Sequence, residues 1–176
     1  FIQQMENMSF IEAVRHLAQD SGVEIVEDGK KHESFSQSKQ ARLKQVCEET
    51  AKFYQNCVNR DKSPMADKCR KYMSGRGFNS DLARRWSLGF APGNSQLYRH
   101  LVNKGFKLEE MIEANVVVLR DNNRVNDRFF NRLMFPISDV SGSIVAFGGR
   151  VIGDAEPKYL NSNTNSIFTK DRTLYA

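Results

Sequence analysis

The chain has 176 residues, of which 40% are hydrophobic and 27% are charged, and these proportions are typical of a globular protein. They exclude a collagen, a coiled coil and a wholly disordered chain, and no apolar run reaches the ~18 residues that a transmembrane helix needs. The net charge of +5 is unevenly distributed. Residues 1–60 carry 8 basic and 9 acidic side chains, whereas 61–176 carry 18 and 12. The positive second part favours a polyanionic partner.

Three cysteines, Cys47, Cys57 and Cys69, form no Cys-x-x-Cys pair, so zinc binding by this chain is not expected. An odd number of cysteines without a disulfide pattern favours a reducing compartment, and we expect a cytoplasmic protein with no membrane attachment. The three histidines share no spacing with a carboxylate or a cysteine. We therefore assign no chemistry to the histidines, and no arrangement typical of a Ser or Cys nucleophile is indicated.

The first predicted elements are helical. Ser9 and Glu12 form a capping-box pattern for a helix at 9–20, which a short extended run at 23–26 follows. Residues 28–38 are polar and aperiodic, which predicts a linker. A long helix is predicted over 39–60, because apolar side chains recur along one face at Leu43, Val46, Cys47, Thr50, Phe53, Tyr54 and Cys57.

Ser63 followed by Pro64 predicts the start of a second helix, which ends at the Gly-Arg-Gly run of 75–77. Asn79 or Ser80 is placed to cap a short third helix. An extended run follows at 88–92, and two short helices are predicted at 95–104 and 107–114. Strands are predicted at 116–119, 133–137 and 143–152, with turns at 121–123 and 139–142.

This order of elements predicts an α+β fold, with a helical N-terminal part followed by a small, mainly antiparallel sheet. Trp86, Phe90 and Phe135 are expected in its core.

Residues 127–172 alternate basic side chains with aromatic residues and glycines. Glycines allow close approach of a backbone to a ligand, Arg and Lys neutralise phosphates, and aromatic rings stack on unpaired bases. An ordinary hairpin with solvated charges and core aromatics explains the same composition, and the Gly-Gly pair before Arg150 also fits a β-bulge.

Longer stretches of this region are distinctive. They read Arg-Leu-Met-Phe-Pro-Ile at 132–137, Phe-Gly-Gly-Arg at 147–150, Pro-Lys-Tyr-Leu-Asn-Ser at 157–162 and Ile-Phe-Thr-Lys at 167–170. Upstream, Tyr-Met-Ser-Gly-Arg-Gly stands at 72–77 and Leu-Gly-Phe-Ala-Pro at 88–92. In order and spacing, these segments closely resemble the bacterial-type DNA primase family.

The resemblance implies a protein that synthesises short RNA primers on single-stranded DNA for replication. Residues 1–27 would be the C-terminal tail of the family's zinc-binding domain and 28–38 a linker. Residues 39–176 would be the N-terminal subdomain of the RNA polymerase domain, with the Toprim subdomain missing. The chain begins at Phe1 without an initiator Met and ends directly after a strongly patterned segment. We therefore expect it to be a piece of a longer protein.

The resemblance also implies cofactors and partners. Toprim carboxylates would hold Mg²⁺ or Mn²⁺ and the first domain would hold Zn²⁺, so no residue of this chain is expected to bind either metal. The chain alone is then expected to make no primers. Its partners would be the single-stranded DNA template, the RNA primer and NTPs, together with the replicative helicase of the primosome through a C-terminal domain that is absent here.

Basic-groove residues can be carried over from the family by their positions in the motifs. They are expected to hold the template strand or the phosphates of the incoming nucleotide. The nucleic-acid and nucleotide-binding residues implied in this way are Arg76, Arg128, Asn131, Arg132, Arg150, Lys158, Tyr159 and Lys170. Two departures weaken the expected charge, because Phe130 stands where many members have a basic residue and Asp171 where Gly is usual.

Four of these residues also have a plainer interpretation. Arg76 fits a helix C-cap with a solvated side chain, and Arg150 fits a salt bridge to Asp127 or Asp139. Tyr159 fits a half-buried core position, and Lys170 an ordinary surface lysine. The alternative function is a non-catalytic module that binds single-stranded nucleic acid, and a surface that contacts protein or other domains also stays open.

Overall fold

A computed structural model describes the backbone of residues 29–170 and the side chains of residues 36–170. The chain divides into two compact units, residues 1–37 and 38–176. The helix predicted at 9–20 and the extended run at 23–26 lie outside the described residues. The helices are α1 (Gly29–Arg60), α2 (Pro64–Gly75), α3 (Ser80–Arg85), α4 (Gln96–Asn103) and α5 (Leu108–Glu113). The strands are β1 (Gly89–Ala91), β2 (Val117–Leu119), β3 (Val125–Asp127), β4 (Arg132–Ser138), β5 (Ile144–Val151) and β6 (Tyr159–Asn161).

Helix α1 begins ten residues before the predicted position, so residues 29–38 of the predicted linker are helical and not aperiodic coil. After Gly29 this segment contains neither Gly nor Pro. Extending an existing helix needs no new nucleus, so polar residues without an apolar face can continue it. The boundary between the two compact units still falls at the end of this segment, between residues 37 and 38. The assignment of domains on either side stays a prediction.

The helix caps follow the predicted signals. The Ser63 hydroxyl accepts a hydrogen bond from the Ala66 amide at the start of α2, and the Asn79 side chain accepts one from the Leu82 amide at the start of α3. Each bond satisfies an amide that has no partner within its helix. The predicted starts of both helices are therefore confirmed.

The main sheet has the strand order β1-β4-β5-β6, and all its pairs are antiparallel. Strand β4 is covered on both faces. Met134 packs with the cluster that includes Tyr54 of α1 and Phe147 of β5, whereas Leu133 packs with Cys69 of α2 and Phe90 of β1. Because successive side chains of a strand point to opposite faces, two hydrophobic clusters enclose the sheet. The predicted α+β fold is confirmed.

Two strands were not predicted. Strand β3 pairs with β2 in a separate two-stranded sheet, and β6 pairs with β5 at the edge of the main sheet. Each has only three residues, too few to show an alternating pattern. Edge strand β6 is the element that positions the candidate site.

Core predictions were right for Phe90, which is fully buried, and Phe135 packs against the same cluster. The prediction for Trp86 is wrong, because 48% of its surface is exposed. Helix α3 has only six residues and buries none of them, so the side chain that follows it stays at the surface. None of the helices in the described part of the chain is long and apolar enough to cross a membrane.

Candidate nucleic-acid interface

Near its end, strand β5 contacts the last turns of α2 through Arg150 and Tyr72. The connection between β5 and β6 borders an open cavity of about 320 Å³. Arg150 and Lys158 line this cavity, and so do two acidic residues, Asp154 and Glu156. The Glu156 carboxylate accepts a hydrogen bond from the Lys158 backbone amide (2.9 Å). Two of the predicted cationic residues therefore share one cavity.

Arg150 lies at the end of β5 with its guanidinium over the ring of Tyr72, 4.1 Å from the ring centroid. One terminal nitrogen donates to the Val151 carbonyl (3.0 Å), and the buried Nε has no hydrogen-bond partner. The ion pairs considered for Arg150 do not form. The Asp127 carboxylate accepts the backbone amides of residues 97 and 98 at the start of α4, and Asp139 pairs with Lys44.

Arg76 is the C-cap of α2, and its backbone amide donates to the Met73 carbonyl (3.1 Å). Its exposed side chain turns back over the helix, so that the guanidinium lies 5.5 Å from the centroid of the Tyr72 ring. The C-cap interpretation is thus correct. Because Arg150 uses the same ring, Arg76 and Arg150 are brought together although 74 residues separate them in the sequence.

Lys158 and Tyr159 continue this surface along the sheet edge. The Lys158 carbonyl accepts from the Val151 amide (3.0 Å), and Tyr159 stands opposite Arg150 in the β5–β6 register. Directly opposed residues of an antiparallel pair project from the same face of the sheet. Tyr159 is 62% exposed, so the interpretation as a core aromatic is wrong. We call the surface formed by Tyr72, Arg76, Arg150, Lys158 and Tyr159 the β6 surface.

Arg128 reaches the other end of β6. Its guanidinium donates to the Asn161 carbonyl and to the side-chain oxygen of Asn163, both at 3.2 Å. Residues 159 and 161 are about 7 Å apart along the strand, so Arg128 lies near the β6 surface without joining it. Burial lowers the pKa of Arg128, but an arginine stays protonated at neutral pH.

Arg132 does not reach the surface, and we leave it out of the interface. Only 3% of it is exposed, and its guanidinium donates to the Gly149 carbonyl (3.3 Å). Its position in β4, between β1 and β5, explains this burial, because both faces of the sheet are covered there. Burial also lowers the pKa of this guanidinium.

Two other predicted residues are not brought to the β6 surface by any contact in the described part of the chain. Asn131 is half-buried with a left-handed backbone (φ 49°), and its carbonyl accepts from the Ile152 amide (2.8 Å). Lys170 is exposed, and its backbone amide donates to the Thr164 hydroxyl (3.5 Å). Asp171 lies outside the described residues.

Sequence reasoning assigned no role to Tyr72, which contacts both Arg76 and Arg150. A signal existed, since Tyr72 precedes Arg76 by four residues and such side chains are neighbours on a helix. The contact with Arg150 could not be found in this way, because it depends on how α2 packs against β5.

The described residues do not fit a metal site. No group of three His, Cys, Asp or Glu side chains in residues 36–170 could hold a metal ion. The cysteines are free and unlike nucleophiles, because burial raises the pKa of Cys47, Cys57 and Cys69 to about 12. The β6 surface instead consists of Arg, Lys and Tyr side chains, which are suited to binding anions and to stacking on other rings.

The fold and this surface together define a class: an α+β domain with a cationic, aromatic sheet edge. Residues 53–176 match the family model described as the N-terminal domain of the DNA primase catalytic core. The chain belongs to this family.

Curated relatives agree with this assignment. The DNA primase of Clostridium acetobutylicum is 37% identical over 176 residues, which cover 99% of this chain and 28% of that protein. The DNA primase of Escherichia coli K12 is 33% identical over 177 residues, covering 99% of this chain and 30% of the relative. The chain thus spans less than a third of the length of these relatives.

Solved structures show the same fold. A DnaG primase catalytic domain bound to ssDNA is 37% identical, with a TM-score of 0.69 over 78% of this chain and 44% of that one. The Aquifex aeolicus primase, with its zinc-binding and RNA polymerase domains, is 28% identical, with a TM-score of 0.66 over 98% of this chain and 40% of that one.

Proposed function

We propose that the chain is part of a DNA primase, an enzyme that synthesises short RNA primers on single-stranded DNA during replication. Its β6 surface would bind the phosphates of the template and of incoming nucleotides. The observation that carries this proposal is the convergence of Arg76, Arg150 and Lys158 on one sheet edge in a member of the primase family.

The side chains divide this task by their chemistry. The planar guanidinium of Arg150 can donate two parallel hydrogen bonds to phosphate oxygens, and Arg76 adds a second guanidinium beside it. Lys158 contributes a point charge, and the exposed ring of Tyr159 can stack on an unpaired base. Arg128 would contact the strand further along β6. These residues hold and orient phosphates while other residues carry out the chemistry.

The described residues form no group of three His, Cys, Asp or Glu side chains that could hold a metal ion for the reaction. In primer synthesis the 3′-hydroxyl of the primer attacks the α-phosphate of an NTP, and pyrophosphate leaves. We propose that Mg²⁺ or Mn²⁺ for this step, and the Zn²⁺ of the family's first domain, are held outside this chain. That the chain alone makes no primers stays a prediction.

The remaining partners also belong to the proposal. They are the RNA primer and NTPs, and the replicative helicase through a further domain of the primase. A cytoplasmic location fits a replication enzyme with three free cysteines.

The proposal predicts that a double variant, Arg150→Ala with Lys158→Ala, binds single-stranded DNA weakly. A hydrogen bond to a charged group contributes roughly 1.5 kcal/mol, so we expect at least about a tenfold loss of affinity. Fluorescence anisotropy with a labelled oligothymidylate, at salt from about 50 to about 200 mM, measures this. The slope of log affinity against log salt should become shallower by roughly 0.7 for each lost phosphate contact.

Lys52→Ala is the matched control, because it removes one exposed charge from α1. Affinity and salt slope that stay unchanged in the double variant would remove both residues from the interface. Binding that is undetectable for the unmodified chain, or insensitive to salt, would instead favour a surface that contacts protein.

A further inference from the structure

Two guanidinium groups of like charge share one aromatic ring at the β6 surface. Tyr72 is half-buried and packs against the hydrophobic cluster that includes Cys69, Met73 and Ile152. The guanidinium carbon atoms of Arg76 and Arg150 lie 5.5 and 4.1 Å from the centroid of this ring. The same side chain thus contacts both a hydrophobic cluster and two guanidinium groups.

An ion pair and an aromatic contact have different effects on the net charge around an arginine. No described carboxylate forms an ion pair with Arg76 or Arg150, in contrast to Arg42, which pairs with Glu110. A carboxylate would both hold a guanidinium and neutralise it. An aromatic ring attracts a cation through its quadrupole and leaves the net charge in place. Tyr72 therefore holds two arginines whose charges remain available to an anion.

Apart from the Tyr72 ring, few contacts orient the Arg150 side chain. One of its terminal nitrogens donates to a backbone carbonyl, and its Nε has no partner. The Arg76 side chain is exposed, and its guanidinium lies against the Tyr72 ring. Without the ring, two like charges on flexible side chains would move apart, and ordering them again on a ligand would cost side-chain entropy.

We infer that Tyr72 is a positioning residue, which arranges Arg76 and Arg150 as one pair that binds neighbouring phosphate groups of a nucleic-acid strand. This inference rests on the proposed function and adds to it a residue that need not touch the ligand. In this role, the Tyr72 ring of α2 sets the distance between the guanidinium groups of Arg76 and Arg150.

The test compares Tyr72→Leu and Tyr72→Phe in the chain of 176 residues, by anisotropy with the labelled oligothymidylate. Leu keeps an apolar side chain but removes the ring, so we expect about fivefold weaker binding and a shallower salt slope. Phe keeps the ring and should bind within about twofold of the unmodified chain. Phe53→Leu is the control, since this half-buried ring packs on His100 and contacts neither arginine.

A third comparison separates positioning from a general structural role. In a background that already carries Arg76→Ala and Arg150→Ala, Tyr72→Leu should change affinity by less than about twofold, because the groups through which Tyr72 acts are absent. Thermal unfolding of every variant checks that each is folded. An equal further loss in that background would overturn the inference.

The outcomes also separate this inference from the proposed function. If the unmodified chain binds with a salt slope and Arg150→Ala weakens binding, while Tyr72→Leu binds normally, only the role of Tyr72 fails. If Tyr72→Phe binds as weakly as Tyr72→Leu, the ring is not what matters and the inference again fails. Absence of salt-dependent binding by the unmodified chain would reject the proposed function itself.

Discussion

Three arginines near β6 differ in what surrounds their guanidinium groups. Arg150 lies on an aromatic ring, Arg128 donates to oxygens of Asn161 and Asn163, and Arg132 is buried against the Gly149 carbonyl. Local sequence does not separate the buried arginine from the other two, because each of the three is followed by an apolar residue. Only the pairing of β4 with both β1 and β5 shows that Arg132 is enclosed.

Asp139 is the residue with the clearest dependence on pH. Its carboxylate binds the Lys44 ammonium (2.7 Å) and accepts hydrogen bonds from Ser141 and Ser143 in the β4–β5 turn. The hydrogen bond from Lys44 is the largest cause that lowers the pKa of Asp139, from 3.8 to about 2. A lowered pKa in the folded state stabilises the protein above the unfolded value, and this contribution is lost as pH falls through about 2.

Asp139→Asn is therefore expected to lower the free energy of unfolding by about 1 kcal/mol at neutral pH, because the ion pair is partly exposed. The difference from the unmodified chain should shrink below about pH 4 and vanish near pH 2. Urea unfolding at several pH values measures it, with Asp121→Asn in an exposed turn as the control. A difference that does not depend on pH would contradict this account of Asp139.

At the scale of elements, local signals predicted more than long-range pairing did. Ser63 and Asn79 marked two helix starts, because a capping side chain acts within three residues of its own position. The apolar face of α1 was also predicted, and five of the seven residues named for it are buried. Strand β6 was missed, since an exposed edge strand of three residues needs no apolar pattern. The pairing of β1 with β4 joins segments about 40 residues apart, which no local signal encodes.

Gly89 shows how closely β1 and α1 approach each other. A Cβ atom at this position would lie 2.6 Å from the Tyr54 backbone carbon and 2.9 Å from the Gln55 amide nitrogen. Backbone atoms of a helix cannot move aside as a flexible side chain can. Gly89→Ala is therefore expected to lower the free energy of unfolding by about 1–3 kcal/mol.

Urea unfolding measures this effect, and Gly75→Ala is the matched control. A Cβ atom at Gly75 would meet no atom within 4 Å, and Ala is the better helix former. Gly75→Ala should leave stability unchanged or raise it slightly. Equal stability of Gly89→Ala and the unmodified chain would show that β1 and α1 can separate without cost.

At the scale of the whole molecule, the net charge of +5 can be divided among residues with different surroundings. The excess of positive charge lies in residues 61–176. Among these cations, Arg70, Arg84 and Lys104 pair with carboxylates and Arg132 is buried. Three other cations lie together at one edge of the sheet, beside the exposed ring of Tyr159. They are Arg76, Arg150 and Lys158. The chain belongs to the primase family and spans less than a third of its curated relatives. The central claim is the proposal that the β6 surface of this chain binds single-stranded nucleic acid.

The most direct measurement of that claim is an NMR titration of the isotope-labelled chain with a short single-stranded oligothymidylate. The account predicts that amide signals of residues 72–77 and 150–161 shift together and saturate at one affinity, and that added salt reverses the shifts. Signals of the β2–β3 hairpin should stay in place and serve as the internal reference. Shifts confined to that hairpin or to α4 and α5, with the β6 surface unaffected, would contradict the account.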